Sequence, residues 1–292
     1  MVIGGNREVR LTALSDWRFR RIGDLGTWTH GDGDRRLVML HGGPGLSEYL
    51  EVLGNLLGDA LGESWTLVRY QQRGLAPSSL DGPFTIEQAV NDVVTVCDAL
   101  AGTATWLIGH SWGGHLAMHA AVAHPDRFRG LIILDTLGAV PDGGRGAMFE
   151  HFAAHLTPDE AKEWLRIEAL SGSNRITAEL RVTQLSLLWR YYFSDPTAAP
   201  VMPALAIGEG RRLSEAVDEH FKRQTLVTGL RSVTTPTLFL ASECGPIPPS
   251  ESERSAALMP NAEVVGLPVG HFAWLESPAM TVKSIAAFLS RT

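Results

Sequence analysis

The segment Gly109-His110-Ser111-Trp112-Gly113-Gly114 sets a serine between glycines in the pattern G-x-S-x-G. It follows the apolar run 105–109 and precedes a helical stretch that Pro125 stops at about His124. That strand–turn–helix context is what a nucleophile elbow requires, because small flanking residues permit the sharp turn that lifts the hydroxyl above a sheet. The N-terminus of the following helix and the Trp112 N–H can then stabilise developing negative charge. A serine hydroxyl is a poor nucleophile until a base takes its proton, and histidine is the usual base. His271, in Val269-Gly270-His271-Phe272, follows the last predicted strand, 160 residues after Ser111. The chain has 10 histidines, so position and not residue type singles this one out. His41-Gly42-Gly43-Pro44-Gly45 follows the run 36–40. Its adjacent glycines let backbone N–H groups face a pocket without Cβ obstruction, and Gly43 would join Trp112 in an oxyanion hole. Each signal has a plainer reading: a chance match in a chain with 30 glycines, a packed loop histidine, an ordinary Gly-Pro turn.

The surrounding pattern supplies the elements that must position these residues. Runs at 17–22, 36–40, 65–70, 105–109, 130–135, 236–241 and 263–267 read as strands, with a further edge strand at 8–14. Helical stripes at 85–100, with Thr85 as N-cap, at 112–124 and at 277–290 alternate with them. Continuous apolar runs separated by helices imply a parallel sheet covered on both faces. From about Gly138 to Gly229 no strand-like run occurs, and helical spacing covers 157–170, 175–193 and 211–226, with a Pro-rich connector at 194–203. The expectation is an α/β core of residues 1–137 and 230–292, with residues 138–229 inserted as a helical cap.

Composition sets outer limits. The 292 residues carry 25 basic and 32 acidic side chains, a net charge of −7, which argues against a nucleic-acid partner. With 45% hydrophobic residues the chain can bury a core, and the longest apolar run is too short to span a membrane. Two cysteines, Cys97 and Cys244, make no disulfide framework, and the first residues show no secretory pattern, so the cytoplasm is the expected compartment. His151 and His155 have an i, i+4 spacing but no H-E-x-x-H and no third ligand, so no metal and no cofactor is expected.

HGGPG, RYQQRG, GHSWGG and GHFAWLESP, in this order, resemble the α/β-hydrolase superfamily, and more narrowly its proline iminopeptidase-like branch. The resemblance covers residues of about 10–137 and 230–290 and leaves the cap unassigned. It implies a mostly parallel eight-stranded sheet, a Ser–acid–His triad and a cap above the pocket.

The acid departs from the family pattern. Where such relatives carry a G-E-x-D-P-I-x-P segment, this chain reads Ser242-Glu243-Cys244-Gly245-Pro246-Ile247-Pro248-Pro249, with Gly245 in the acid position. Three readings stay open. Asp135 ends the strand 130–135, as the acid does in haloalkane dehalogenases of the superfamily; Glu243 lies two residues before the usual site; or the site is a Ser–His pair. Gln71 stands where peptidase relatives carry Asp, and Arg73 reads as a loop tie. Glu150, Glu163, Glu168, Glu179 and Glu209 are the cap carboxylates that could hold a substrate amine, and Trp164 and Trp189–Phe193 could line an apolar pocket or pack the cap core. The reading reached is a serine hydrolase acting on an ester or amide of a small molecule or short peptide. Ser111 is the nucleophile, His271 the base, Asp135 the acid, and Gly43 and Trp112 the oxyanion donors. A non-hydrolytic enzyme on the same fold and a binding protein that has lost catalysis are the alternatives.

Overall fold

The computed structural model describes residues 16–100, 105–140, 142–172, 176–208 and 210–292. The apolar runs form eight strands: β1 (Arg18–Ile22), β2 (Leu25–His30), β3 (Arg35–Leu40), β4 (Trp65–Tyr70), β5 (Thr105–His110), β6 (Phe128–Leu134), β7 (Thr237–Ser242) and β8 (Ala262–Leu267). They make one sheet in the order β1-β2-β4-β3-β5-β6-β7-β8. β2 runs antiparallel to both β1 and β4, and every pair from β4 onward is parallel. The mostly parallel eight-stranded sheet is therefore as expected. The edge strand anticipated at 8–14 lies outside the described residues. β2 is not read from the sequence, because Gly26, Thr27, Thr29 and His30 dilute its apolar signal; pairing on both sides holds it in place.

Helices α1 (Glu51–Leu61), α2 (Ile86–Asp98) and α3 (Trp112–Ala123) precede β6. Helices α4 (Arg145–His155), α5 (Pro158–Gly172), α6 (Ala178–Leu188), α7 (Arg211–Arg223) and α8 (Thr225–Gly229) fill the interval between β6 and β7. Helices α9 (Pro249–Ala256), α10 (Ala273–Glu276) and α11 (Pro278–Leu289) follow β7. Thr85 caps α2, its Oγ1 accepting from the Gln88 N–H at 3.1 Å. The sheet divides two apolar clusters. One gathers α2, α3 and α8, and the other α1, α10 and α11. The stretch read as one helix over 175–193 stops at Leu188 and tightens into a 3-10 turn, Trp189–Tyr192. Trp189 and Phe193 there pack into the second cluster against Phe272. The stretch read as a helix over 211–226 breaks at Gln224, which takes a left-handed φ of 53°.

The helices between β6 and β7 are held to the sheet on both sides. Leu213 and Val217 of α7 join the first cluster, and Trp189 and Phe193 the second. A third, smaller cluster of Phe152, Trp164, Leu188 and Tyr191 packs α4, α5 and α6 together. An isolated bridge between Leu46 and Ile207 ties the segment before α7 to the loop after β3. No helix among the described residues is long and apolar enough to cross a membrane.

Candidate active site

β5 and β6 leave the sheet side by side, and their register pairs Gly109 with Ile133 and His110 with Leu134. The next residues, Ser111 and Asp135, therefore emerge together above the same edge. Ser111 caps α3 with φ 55° and ψ −123°, and Asp135 has φ 37°. Non-glycine residues hold such backbone only where their surroundings fix it, at a cost of about 1–3 kcal/mol. Here Ser111 N–H donates to Leu134 O at 2.9 Å, Thr136 Oγ1 donates to Ser111 O at 2.9 Å, and Asp135 N–H donates to Leu240 O at 2.9 Å. The turn also needs its glycines. A Cβ on Gly109 would collide with the Gly113 carbonyl, and one on Gly113 with the Leu40 carbonyl.

His271 arrives on the loop after β8, with its N–H donated to Tyr192 O at 2.6 Å. Its ring Nδ1 lies 2.5 Å from Asp135 Oδ2. The pair is sealed from solvent, with His271 5% exposed and Asp135 3%. Ser242 N–H donates to Asp135 Oδ1 at 3.3 Å, and Ser242 Oγ donates to Gly270 O at 2.7 Å, so Ser242 fixes both the carboxylate and the histidine loop. Burial pulls the His271 imidazole down to about 3, which keeps the ring neutral and able to accept a proton. Burial also pushes the Asp135 carboxyl up, against the opposing hydrogen bonds of Ser242. A single proton between Nδ1 and Oδ2 serves both groups.

The loop after β3 is braced by residues that the motifs do not announce. Gly42 N–H donates to Tyr49 Oη at 2.8 Å, and Tyr49 Oη lies 2.6 Å from His110 Nδ1. His110 Nε2 lies 2.9 Å from the His271 carbonyl oxygen. A carbonyl can only accept, so Nε2 carries the proton, Nδ1 accepts, and the Tyr49 hydroxyl donates to it. This chain of hydrogen bonds joins the glycine loop to the His271 loop through the residue before Ser111. It commits the Gly42 N–H and leaves Gly43 lining the cavity beside Ser111. On the opposite side His41 accepts the Gln72 N–H at Nε2 (3.1 Å), Gln72 Nε2 donates to His41 O (2.7 Å), and the Trp112 indole donates to Gln72 Oε1 (2.8 Å). Position in G-x-S-x-G pointed to His110 only as a variable residue, and Tyr49 carries no motif signal at all.

Ser111, His271 and Gly43 open into one cavity of about 490 Å³. Its walls come from the helices between β6 and β7. Arg145, Met148, Phe149 and Phe152 line it from α4, Trp164 and Glu168 from α5, and Arg181, Gln184, Leu185 and Leu188 from α6. The α4 and α6 sets share the spacing i, i+3, i+4, i+7, so one face of each helix is turned to the cavity. The Tyr192 ring closes it against His271, with centroids 5.2 Å apart.

The alpha/beta hydrolase fold family model matches residues 35–278. The chain belongs to this family. RutD of Caulobacter segnis, whose name proposes carbamate hydrolysis, is 31% identical over 120 residues, 37% of this chain and 45% of RutD. The match thus spans less than half of that relative. The proline iminopeptidase of Elizabethkingia meningoseptica is 23% identical over 294 residues, covering 92% of this chain and 95% of that one. The crystal structure of the proline iminopeptidase of Mycobacterium smegmatis superposes with a TM-score of 0.65 at 21% identity, covering 94% of this chain and 98% of that one.

Within this alpha/beta hydrolase chain the remaining sequence candidates divide between this cavity and other parts of the fold. Glu243 is exposed and lies over Gly266 of β8, away from the His271 ring. Arg73 forms a forked pair with Asp92 (3.0 and 2.8 Å), a loop tie, and Gln71 Oε1 accepts the Glu48 N–H at 2.8 Å. Glu150 and Glu179 are exposed, Glu163 pairs with Arg166, and Glu209 lies outside the described residues; Glu168 lines the cavity. Trp164 and Tyr192 line the same cavity, whereas Trp189 and Phe193 pack against Phe272. His151 Nε2 meets Tyr191 O at 3.0 Å, and His155 Nδ1 meets His151 O at 2.7 Å. Among the described residues no group of three or more His, Cys, Asp or Glu could hold a metal ion.

Proposed function

We propose that the protein is a serine hydrolase that opens an ester or amide through an acyl-enzyme on Ser111, with the helices from about residue 138 to 229 as the cap over its pocket. The observation that carries this reading is the 2.5 Å contact between His271 Nδ1 and Asp135 Oδ2, formed in the cavity wall beside a serine held at φ 55°. Asp135 accepts the Nδ1 proton, which leaves the other ring nitrogen, Nε2, free as the base. His271 takes the Ser111 proton as Oγ attacks the carbonyl carbon. The oxyanion is held by the Gly43 N–H on the loop after β3 and the Trp112 N–H at the start of α3. His271 then protonates the leaving group, and a water molecule, deprotonated by the same ring, releases the acid. Asp135 stabilises the imidazolium formed in each step. The partner is a small-molecule or short-peptide substrate.

A fluorophosphonate probe tests this reading. The wild-type chain is expected to be labelled at Ser111 and Ser111→Ala to be unlabelled; labelling at a different serine, or an unlabelled wild-type protein with ester turnover, would overturn it.

A further inference from the structure

We infer that the substrate carries a carboxylate remote from its scissile carbonyl, and that Arg181 receives it. This inference rests on the hydrolase reading above and adds the substrate class. The cavity that holds Ser111 and His271 is lined by three charged cap side chains, Arg145, Glu168 and Arg181. Two of them are already engaged. Arg145 pairs with Asp218 and lies over the Phe221 ring at 5.3 Å, and Glu168 Oε1 accepts from Gln184 Nε2 at 2.5 Å. Arg181 is half-buried in the same wall, and no carboxylate among the described residues lies within ion-pair distance of it. A partly desolvated guanidinium without a counter-ion is an open site for a planar, acceptor-only group, which it can hold through two parallel N–H bonds.

Trp164 lines the same wall. The position of Arg181 also sets the length of the ligand. Arg181 lies two helical turns before Leu188, roughly 10 Å along α6 by the rise per residue. The chain reaches the His271 ring just beyond, at Tyr192. The walls between carry Leu185, Leu188 and Phe152, beside the Gln184–Glu168 pair. A flexible apolar spacer with a terminal carboxylate fits this order of groups.

The test compares p-nitrophenyl monoesters of linear dicarboxylic acids, succinate to suberate, with neutral esters of equal chain length. The expected result is a higher kcat/KM for the anionic member at one or more of the longer chain lengths. Arg181→Met is expected to lower that anionic-to-neutral ratio about ten- to hundredfold, mainly through KM, with Arg181→Lys keeping part of it. A ratio at or below one at every length, or one unchanged in Arg181→Met, would overturn the inference. Thermal melting confirms that the variants fold. Binding is read separately on Ser111→Ala by tryptophan fluorescence with monomethyl suberate. Arg181-dependent binding without turnover in the wild-type chain would retain the carboxylate site and reject the hydrolase reading. Turnover without any Arg181-dependent preference or binding would do the reverse.

Discussion

Gly245 lies against Asp135: a Cβ built on Gly245 would stand 3.4 Å from Asp135 Oδ2 and 3.2 Å from the His271 backbone nitrogen. The two strand ends that could supply an acid to this ring, after β6 and after β7, thus converge on one small volume. Asp135 fills it from β6, and the absence of a side chain at Gly245 leaves the room.

Asp135→Asn keeps the shape of the contact but removes the acceptor charge. Turnover of a neutral ester is expected to fall by about 10⁴-fold, the cost of the equivalent change in a serine protease triad. The pH profile carries a sign as well. Burial pulls the His271 imidazole below its ordinary value, so the acid limb of kcat/KM in the wild-type chain should lie below pH 6.5. Removing the carboxylate removes a charge that favours the imidazolium, so the limb should move lower still while the plateau drops. An acid limb above 6.5 in the wild-type enzyme would contradict this.

Moving the acid tests the shared volume. Gly245→Asp alone crowds a second carboxylate against the first, and a lower melting temperature is expected from the like-charge contact. Combined with Asp135→Asn, the same substitution should recover about tenfold or more of the lost kcat. The effects of the two changes would then be far from additive, as contact between the sites demands. Strict additivity of the two changes in kcat would show that they do not share the ring.

Tyr49→Phe breaks the hydrogen-bond chain between the glycine loop and His110. Gly42 N–H loses its acceptor and His110 Nδ1 its donor. Because Tyr49 acts through the position of the Gly43 N–H, the expected loss is in kcat, about ten- to hundredfold, with KM nearly unchanged. A rise in KM alone would assign Tyr49 to substrate binding instead.

Acid should unfold the chain through its buried histidines. His41 and His115 are fully buried, and burial pulls each down to about 4 from an unfolded value of about 6.5. Between those values the unfolded chain binds more protons than the folded one, so stability is complete above 6.5 and is lost as pH falls toward 4. Each ring contributes up to about 3 kcal/mol of that loss. His115 also faces His119, His220 and Arg145, which add to the penalty for charging it. A melting temperature that holds constant from pH 7 to 4.5 would refute this.

The sheet was legible because β3 through β7 are buried on both faces, which leaves unbroken apolar runs. β2 was not, since its stability comes from pairing rather than from its own side chains. At the candidate site, Ser111, His271 and Gly43 announce themselves through local glycine patterns, and the structure brings them to one cavity. The choice between Asp135 and Glu243 could not be read locally, because it depends on how two distant strand ends turn toward one ring. Tyr49, Ser242 and Arg181 were out of reach for the same reason. Each matters through a partner 28 to 107 residues away, or through a cavity that exists only once the helices between β6 and β7 are folded.

The pairing of His110 with Leu134 has a modular outcome. Ser111 and Asp135 are spaced by backbone hydrogen bonds between neighbouring strands, and both lie before the chain departs into its helical insert. That insert can be lengthened, shortened or exchanged without resetting their separation, provided a backbone carbonyl returns to meet the His271 N–H as Tyr192 does. Selectivity is thereby free to drift on one piece of the chain while the reacting atoms stay registered on another.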